Sequence, residues 1–294
     1  MSDDAARQTP EDSSVESPIT AARYAIGDIH GHLAELDRAL HAAGLTDADG
    51  TWSGDNAAVW FLGDFSDRGP DGIGVIDRIR GLATQAEAAG GQVTALLGNH
   101  ELLLLGAHRF DDQVVPITYP ERDFRMMWTL NGGRQSDLDR LTDEHVEWLT
   151  GLDAIALAGD HLLMHSDTTS YLGYGDTVPE INAGVRRVLR SDDIEGWWLC
   201  ARRLTARHEF RSNHGEQVAD DVLARLGGRR IVHGHSTIPN HLGVDPASVT
   251  GPFPYAGGKV LAIDGGIYLG GPCLVVRLTD APDDGDDSAQ DEGR

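Results

Sequence analysis

Three times between residues 24 and 101 an apolar run passes into glycine and then into an acidic or metal-ligating side chain. The stretches are "YAIGDIHGH" (24–32), "FLGDFSDRG" (61–69) and "ALLGNHE" (95–101). A buried strand ending in such a turn constrains the whole chain, because the turn must open where its polar groups find partners. The segments between these runs have helical spacing: Leu33, Leu36, Leu40 and Ala43 along 33–43, and Ile73, Ile76, Ile79 and Leu82 along 72–89. Strands at 23–27, 57–62 and 93–97, alternating with these helices and with another opening at His100, predict βαβ units in a mostly parallel sheet. Ligands gather beyond the carboxyl ends of such strands, so the three loops are expected to converge.

Beyond this half the pattern changes. Residues 106–131 read as irregular, with Pro116 and Pro120 among aromatic residues, and could cap a site. A helix is expected at 142–152, capped by Thr142 or Asp143, and a hairpin at 154–158 and 161–165. Residues 178–189 and 218–226 look helical, while 231–233, 260–264 and 274–278 return to strand patterns. This half reads as strand-rich, without regular helices between its strands, which predicts a second, mixed sheet.

The candidate metal ligands are Asp28, His30, Asp64, Asn99, His165 and His235, all placed at expected strand ends. Two carboxylates, one amide oxygen and three imidazoles suit Mn²⁺, Fe or Zn²⁺ better than Mg²⁺ or Ca²⁺. Six ligands exceed one open catalytic site but fit two ions about 3.5–4 Å apart sharing a bridge, for which Asp64 is central in the order. Such a pair activates water and clamps a phosphoryl group. His100, beside Asn99, is placed to protonate the leaving group, with Asp67 orienting its ring. Arg68 offers a guanidinium fork for phosphate.

Composition narrows the alternatives. The formal charge of −23 is concentrated partly at the ends: residues 1–18 carry five acids against one arginine, and 279–294 seven against one. An acidic surface repels nucleic-acid backbone. No apolar stretch reaches the roughly 18 residues of a membrane span. The two cysteines, Cys200 and Cys273, form no metal-like pair and exclude a disulfide scaffold, so the cytoplasm is expected. Three segments follow: an acidic, disordered leader over 1–20, one domain over 21–279, and a similar tail over 280–294. The Trp197–Trp198 pair reads as packing, and histidines without motif context, His208 and His241 among them, read as surface or core.

With "GDIHGH", "GDFSDRG", "GNHE", "MHSD" and "VHGHS" in this order, the chain resembles the calcineurin-like metallophosphoesterases and, within them, the phosphoprotein phosphatase branch. "MWTLNGG" and "AIDGG" are similar to stretches of bacteriophage lambda phosphatase, and "GGQVTALLGNHELLLLGAHRF" to Shewanella-like phosphatases. The resemblance implies an α/β fold of two mixed sheets packed as a sandwich flanked by helices. It implies that Asp28, His30 and Asp64 hold one metal, and Asp64, Asn99, His165 and His235 the other. It places a second phosphate arginine in "WWLCARRLTARHEFR", best matched by Arg202, with Arg203 and Arg207 as alternatives. His233 could stand behind the ligands. The expected activity is hydrolysis of phosphoserine or phosphothreonine, or of phosphotyrosine, in proteins, with Mn²⁺ the preferred ion. The alternative is a dinucleoside-polyphosphate hydrolase or another small-molecule phosphatase. Glu101 disfavours the former, whose members usually read GNHD. A catalytically silent binding module would require lost ligands, and none is lost.

Overall fold

The computed structural model describes residues 21–280, and within it the three apolar runs become neighbouring parallel strands. They are β1 (Arg23–Ile26), β2 (Ala58–Phe61) and β3 (Gln92–Ala95). Ile26 lies opposite Phe61, and Phe61 opposite Ala95, so the Gly-Asp, Gly-Asp and Gly-Asn turns leave the sheet at one edge. A fourth strand, β9 (Val275–Leu278), pairs antiparallel with β1. Between these strands run α1 (Leu33–Ala42) and α2 (Gly72–Ala88), and α3 (Asn99–Phe110) follows β3. Asp71 caps α2 by accepting from the Gly74 N–H at 2.8 Å, and its Ile73, Ile76, Ile79 and Leu82 are buried.

The second sheet is mixed, as expected. It has the order β4 (Ile155–Ala158), β5 (His161–Met164), β6 (Arg230–His233), β8 (Val260–Ala262), β7 (Phe253–Tyr255). The expected hairpin is the antiparallel pair β4–β5, and the edge strand β7 is antiparallel to β8. In the parallel centre Met164 lies opposite His233, and His233 opposite Ala262. His165, His235 and Asp264 therefore leave this sheet at one edge as well.

The sheets bury a common layer. Ala25, Trp60 and Leu96 from the first meet Leu163, Val232 and Leu261 from the second, while alternate residues such as Ile26, Phe61, Leu162 and Ile231 pack under the helices.

Two expectations need correction. Residues 106–131 are not irregular throughout: α3 continues to Phe110, and α4 (Phe124–Leu130) packs on it. Gly106 permits that approach, since a Cβ there would lie 2.3 Å from the Phe124 ring. Nor does the second half lack helices between strands. After α5 (Gln135–Arg140) and α6 (Asp143–Thr150), the helices α7 (Val178–Leu189), α8 (Ile194–Thr205) and α9 (Gly215–Leu226) separate β5 from β6, and α10 (Ile238–Leu242) follows β6. The buried stripe of α8, formed by Trp197, Trp198, Cys200, Ala201 and Leu204, has helical spacing that its doubled aromatics and arginines disguise. Among the described residues no helix is long and apolar enough to cross a membrane. The expected leader over 1–20, and all but the first residue of the expected tail, lie outside the described residues.

Candidate active site

The two sheet edges meet where β1 and β2 end against β5, β6 and β8. Contact here requires glycine: a Cβ on Gly27 would sit 2.6 Å from the Ile263 carbonyl, and one on Gly63 2.5 Å from the Gly98 nitrogen. His30, Asp64, Asp67, Arg68 and His235 all have positive φ, between 46° and 67°. Such backbone is strained for residues with a Cβ, and clusters of it mark functional sites. Glu101 stabilises the tightest turn. Its buried carboxylate accepts from the N–H groups of Asp64 (2.8 Å), Phe65 (2.7 Å), Ser66 (3.2 Å) and Gly98 (3.1 Å). Burial and the Asp64 carboxylate push its pKa up to about 7.

Asp64 is the centre of the arrangement. Its Oδ2 lies 3.6 Å from His30 Nε2, and its Oδ1 lies 3.3 Å from His165 Nε2. Asp28 approaches His30 Nε2 at 3.7 Å and accepts the His235 N–H at 2.8 Å. The His165 and His235 rings are 4.9 Å apart. The ligating atoms of Asp64, His165 and His235 lie within 4.8 Å of one another, as do those of His30, Asp64 and His100. The six expected ligands are thus brought together.

The donor chemistry fits divalent cations. His165 donates from Nδ1 to the Leu62 carbonyl at 2.9 Å, which turns the lone pair of Nε2 inward. That lone pair faces Asn99 Oδ1 at 2.9 Å and the Asp64 carboxylate, so three acceptors converge with no proton to share. His30 is oriented in the same way by the Ser66 carbonyl at 3.1 Å. Nearby Asp264, whose Oδ2 has no partner among the described residues, adds a further buried carboxylate. Burial, with Asp264 and Asp64 alongside, raises the pKa of Asp28 well above its ordinary value. Burial lowers the pKa values of His30, His165 and His235, toward the neutral form in which imidazole binds metal. Neutral imidazoles beside carboxylate and amide oxygens suit transition-metal ions.

Beside this cluster stands a second constellation. His100 Nδ1 donates to Asp67 Oδ2 at 2.8 Å, and Trp128 Nε1 donates to the other Asp67 oxygen at 2.7 Å. Burial would lower the pKa of His100, but Asp64 and Asp67 reverse this and raise it. Arg68 spans the site, donating to His30 Nε2 and His100 Nε2, each at 3.0 Å, with its guanidinium 3.9 Å from the Tyr268 ring centre. Asp137 fixes this turn from behind, accepting the N–H groups of Asp67 (3.0 Å) and Gly72 (3.1 Å). Asp137→Ala leaves two buried donors unpaired and should cost about 2–6 kcal/mol, at roughly 1–3 kcal/mol for each group, readable by urea denaturation.

The three arginine candidates separate. Arg202 lines an open groove beside Trp198, and Arg203 lies 4.8 Å from the Tyr174 ring centre. The exposed Arg207 is near enough for its charge to lower the pKa values of His165 and His235. Sequence reasoning missed Asp264, Trp128, Tyr268 and Asp137. For Asp264 a signal was present, since "VLAID" repeats the pattern of an apolar strand ending in a carboxylate.

Comparison with known proteins gives the family. The family model for calcineurin-like phosphoesterases matches residues 24–239. Shewanella-like protein phosphatase 2 of Arabidopsis thaliana is 35% identical over 101 residues, covering 32% of this chain and only 26% of the plant protein. A symmetrical bis(5'-nucleosyl)-tetraphosphatase of Paracidovorax citrulli is 28% identical over 268 residues, covering 78% of this chain and 89% of its own. The crystal structure of the cold-active protein-tyrosine phosphatase of a psychrophilic Shewanella species superposes with a TM-score of 0.67 at 24% identity, over 88% of this chain and 76% of that one. With the family model spanning most of its length and its ligand-bearing loops converging as described, the chain belongs to the calcineurin-like phosphoesterases and is a hydrolase of that family.

Proposed function

We propose that the chain is a cytoplasmic, Mn²⁺-dependent phosphomonoesterase acting on phosphoserine and phosphothreonine, and on phosphotyrosine, in proteins. The observation that carries this reading is the pairing of the converged acceptors around Asp64 with the His100–Asp67 dyad beside them. Asp28, His30 and Asp64 would hold one ion, and Asp64, Asn99, His165 and His235 the other. When bound, the ion pair supplies Lewis acidity toward water and toward the phosphoryl oxygens.

The chain's own residues supply the rest. Arg68 moves its fork from the two imidazoles onto phosphate oxygens, where paired charged hydrogen bonds are strong. That releases His100 Nε2, which in the imidazolium form delivers its proton to the departing alkoxide oxygen. Asp67 keeps Nδ1–H aligned throughout, and Trp128 keeps Asp67 in place. We assign the second phosphate anchor to Arg207, exposed just beyond the end of α8, in preference to Arg202, which lines the groove. Arg202 contacts the substrate away from the phosphate. It borders two adjoining cavities of about 370 and 470 Å³ that share Met127 and Trp198. The first reaches Asn131, whose carbonyl accepts from Arg68, and Thr205, whose carbonyl lies 3.1 Å from His235 Nε2. A groove leading away from the reacting centre suits a peptide flanking the phosphorylated residue. Arg207→Ala is expected to lower kcat/KM on p-nitrophenyl phosphate about 10–100-fold, the equivalent of about 1.5–3 kcal/mol for a hydrogen bond to a charged group. Arg202→Ala should raise only the KM for a phosphopeptide.

A second reading, a symmetrical dinucleoside-tetraphosphatase, is favoured by the alignment with a protein of that name over most of both chains. Its leaving group, a nucleoside diphosphate, is a far weaker base than an alkoxide and has less need of the acid dyad. Assays with Mn²⁺ on a phosphopeptide, p-nitrophenyl phosphate and diadenosine tetraphosphate decide between them. Preference for the phosphopeptide is expected. Preference for the dinucleotide would replace the first reading with the second.

A further inference from the structure

Behind the dinuclear ligands the fold builds another cluster from the same two strand ends. Asp167 lies two residues after His165, and His233 two residues before His235. His241 on α10 closes the group. Asp167 and His233 are fully buried and His241 is 7% exposed. One ligand-type atom from each lies within 4.8 Å of the other two.

Two of these side chains are already oriented from outside. His233 donates from Nδ1 to the Gly234 carbonyl at 2.8 Å, leaving its Nε2 lone pair 2.8 Å from the Tyr255 hydroxyl. The Asp167 carboxylate accepts from Ser236 Oγ at 2.5 Å and from the His208 N–H at 2.8 Å, both neutral donors. His241 is different: neither ring nitrogen has a hydrogen-bond partner among the described residues. Buried imidazole nitrogens are rarely left unpaired, because their lost hydration has to be replaced. The ring stands against His233 and Tyr255, at centroid distances of 6.2 and 5.2 Å.

We propose that Asp167, His233 and His241 form a separate third cation site, with ligands suited to Zn²⁺. Two imidazoles and one carboxylate are a zinc ligand set, and the Tyr255 hydroxyl, now on the His233 Nε2 lone pair, would turn aside as the ion enters. The outer hydrogen bonds to Gly234, Ser236 and His208 serve as the supports that orient zinc ligands. An ion here ties the segment 165–167 to the segment 233–235, and so fixes the spacing of His165 and His235 from behind. The site would brace the catalytic centre without touching substrate, and it does not rest on the choice of substrate proposed above.

Anomalous diffraction at the zinc edge, from crystals of the full chain equilibrated with Zn²⁺, tests the site directly. A peak among Asp167, His233 and His241 is expected, and no peak there overturns the proposal. In solution, His241→Phe keeps an aromatic ring beside Phe253 and Tyr255 but removes the donor atoms. With its circular dichroism unchanged, it should bind about one equivalent of Zn²⁺ fewer than the wild type after dialysis. Equal stoichiometry would also overturn the proposal. Should that variant fail to fold, the diffraction result on the wild type decides alone.

Discussion

His100→Asn should lower kcat on a phosphoserine peptide by about 10²–10⁴-fold, the usual contribution of a positioned general acid, while leaving metal content unchanged. His100 Nε2 lies 3.9 Å from Asp64 Oδ2, and its Nδ1 is held by Asp67, which fixes the ring and turns Nε2 toward the reacting centre. On the proposed assignment its loss removes a proton donor and not a ligand. The penalty should shrink on p-nitrophenyl phosphate, whose phenolate leaves with little need of a proton. Asp67→Asn acts through the same ring. The Asp67 hydrogen bond and charge help raise the His100 pKa, so their removal lets the imidazolium lose its proton at lower pH. The basic limb of the kcat profile should then move toward acid. An unshifted limb, or equal losses on both substrates, would assign the acid to another group.

Asp64→Ala has the larger expected effect. Its two oxygens face His30 on one side and His165 on the other. On the proposed assignment, removing it takes one ligand from each half of the site. Activity should fall below detection, and the content of tightly held Mn²⁺ should drop by most of its value, as measured by elemental analysis after gel filtration. Retention of a full metal complement would mean that the ions are held elsewhere. The fold itself should persist, because the turn is held through the Asp64, Phe65 and Ser66 N–H groups by Glu101, and none of these bonds needs the Asp64 side chain.

Much of this was legible in the residues. Apolar runs ending in Gly-Asp or Gly-Asn marked β1, β2 and β3 and the loops that carry the ligands, because a buried strand and a polar turn leave opposite signatures in adjacent positions. Other elements were hidden for physical reasons. β7 is three residues long and contains Pro254, which only an edge strand tolerates. α4 and α8 depend on tertiary contacts, with Phe124 seated over Gly106 and also 5.6 Å from the Trp198 ring. Within the site, Asp28, His30, Asp64 and Asn99 could be read from motifs, whereas Trp128 and Asp137 could not. They reach Asp67 from helices distant in sequence, 61 and 70 residues away. No local pattern records a hydrogen bond made across that separation. The second phosphate arginine was ambiguous for a related reason: Arg202, Arg203 and Arg207 differ little in the string, and only the turn of α8 and the chain beyond it directs each to a different place.

On the proposed assignment, loops from two sheets build one dinuclear centre around Asp64. A crystal structure of the Mn²⁺-loaded protein, with anomalous scattering to locate the ions, tests it most directly. Two manganese peaks bridged by the Asp64 carboxylate, one flanked by Asp28 and His30 and the other by Asn99, His165 and His235, are the predicted result. A single peak, or a pair that Asp64 does not touch, would contradict the account.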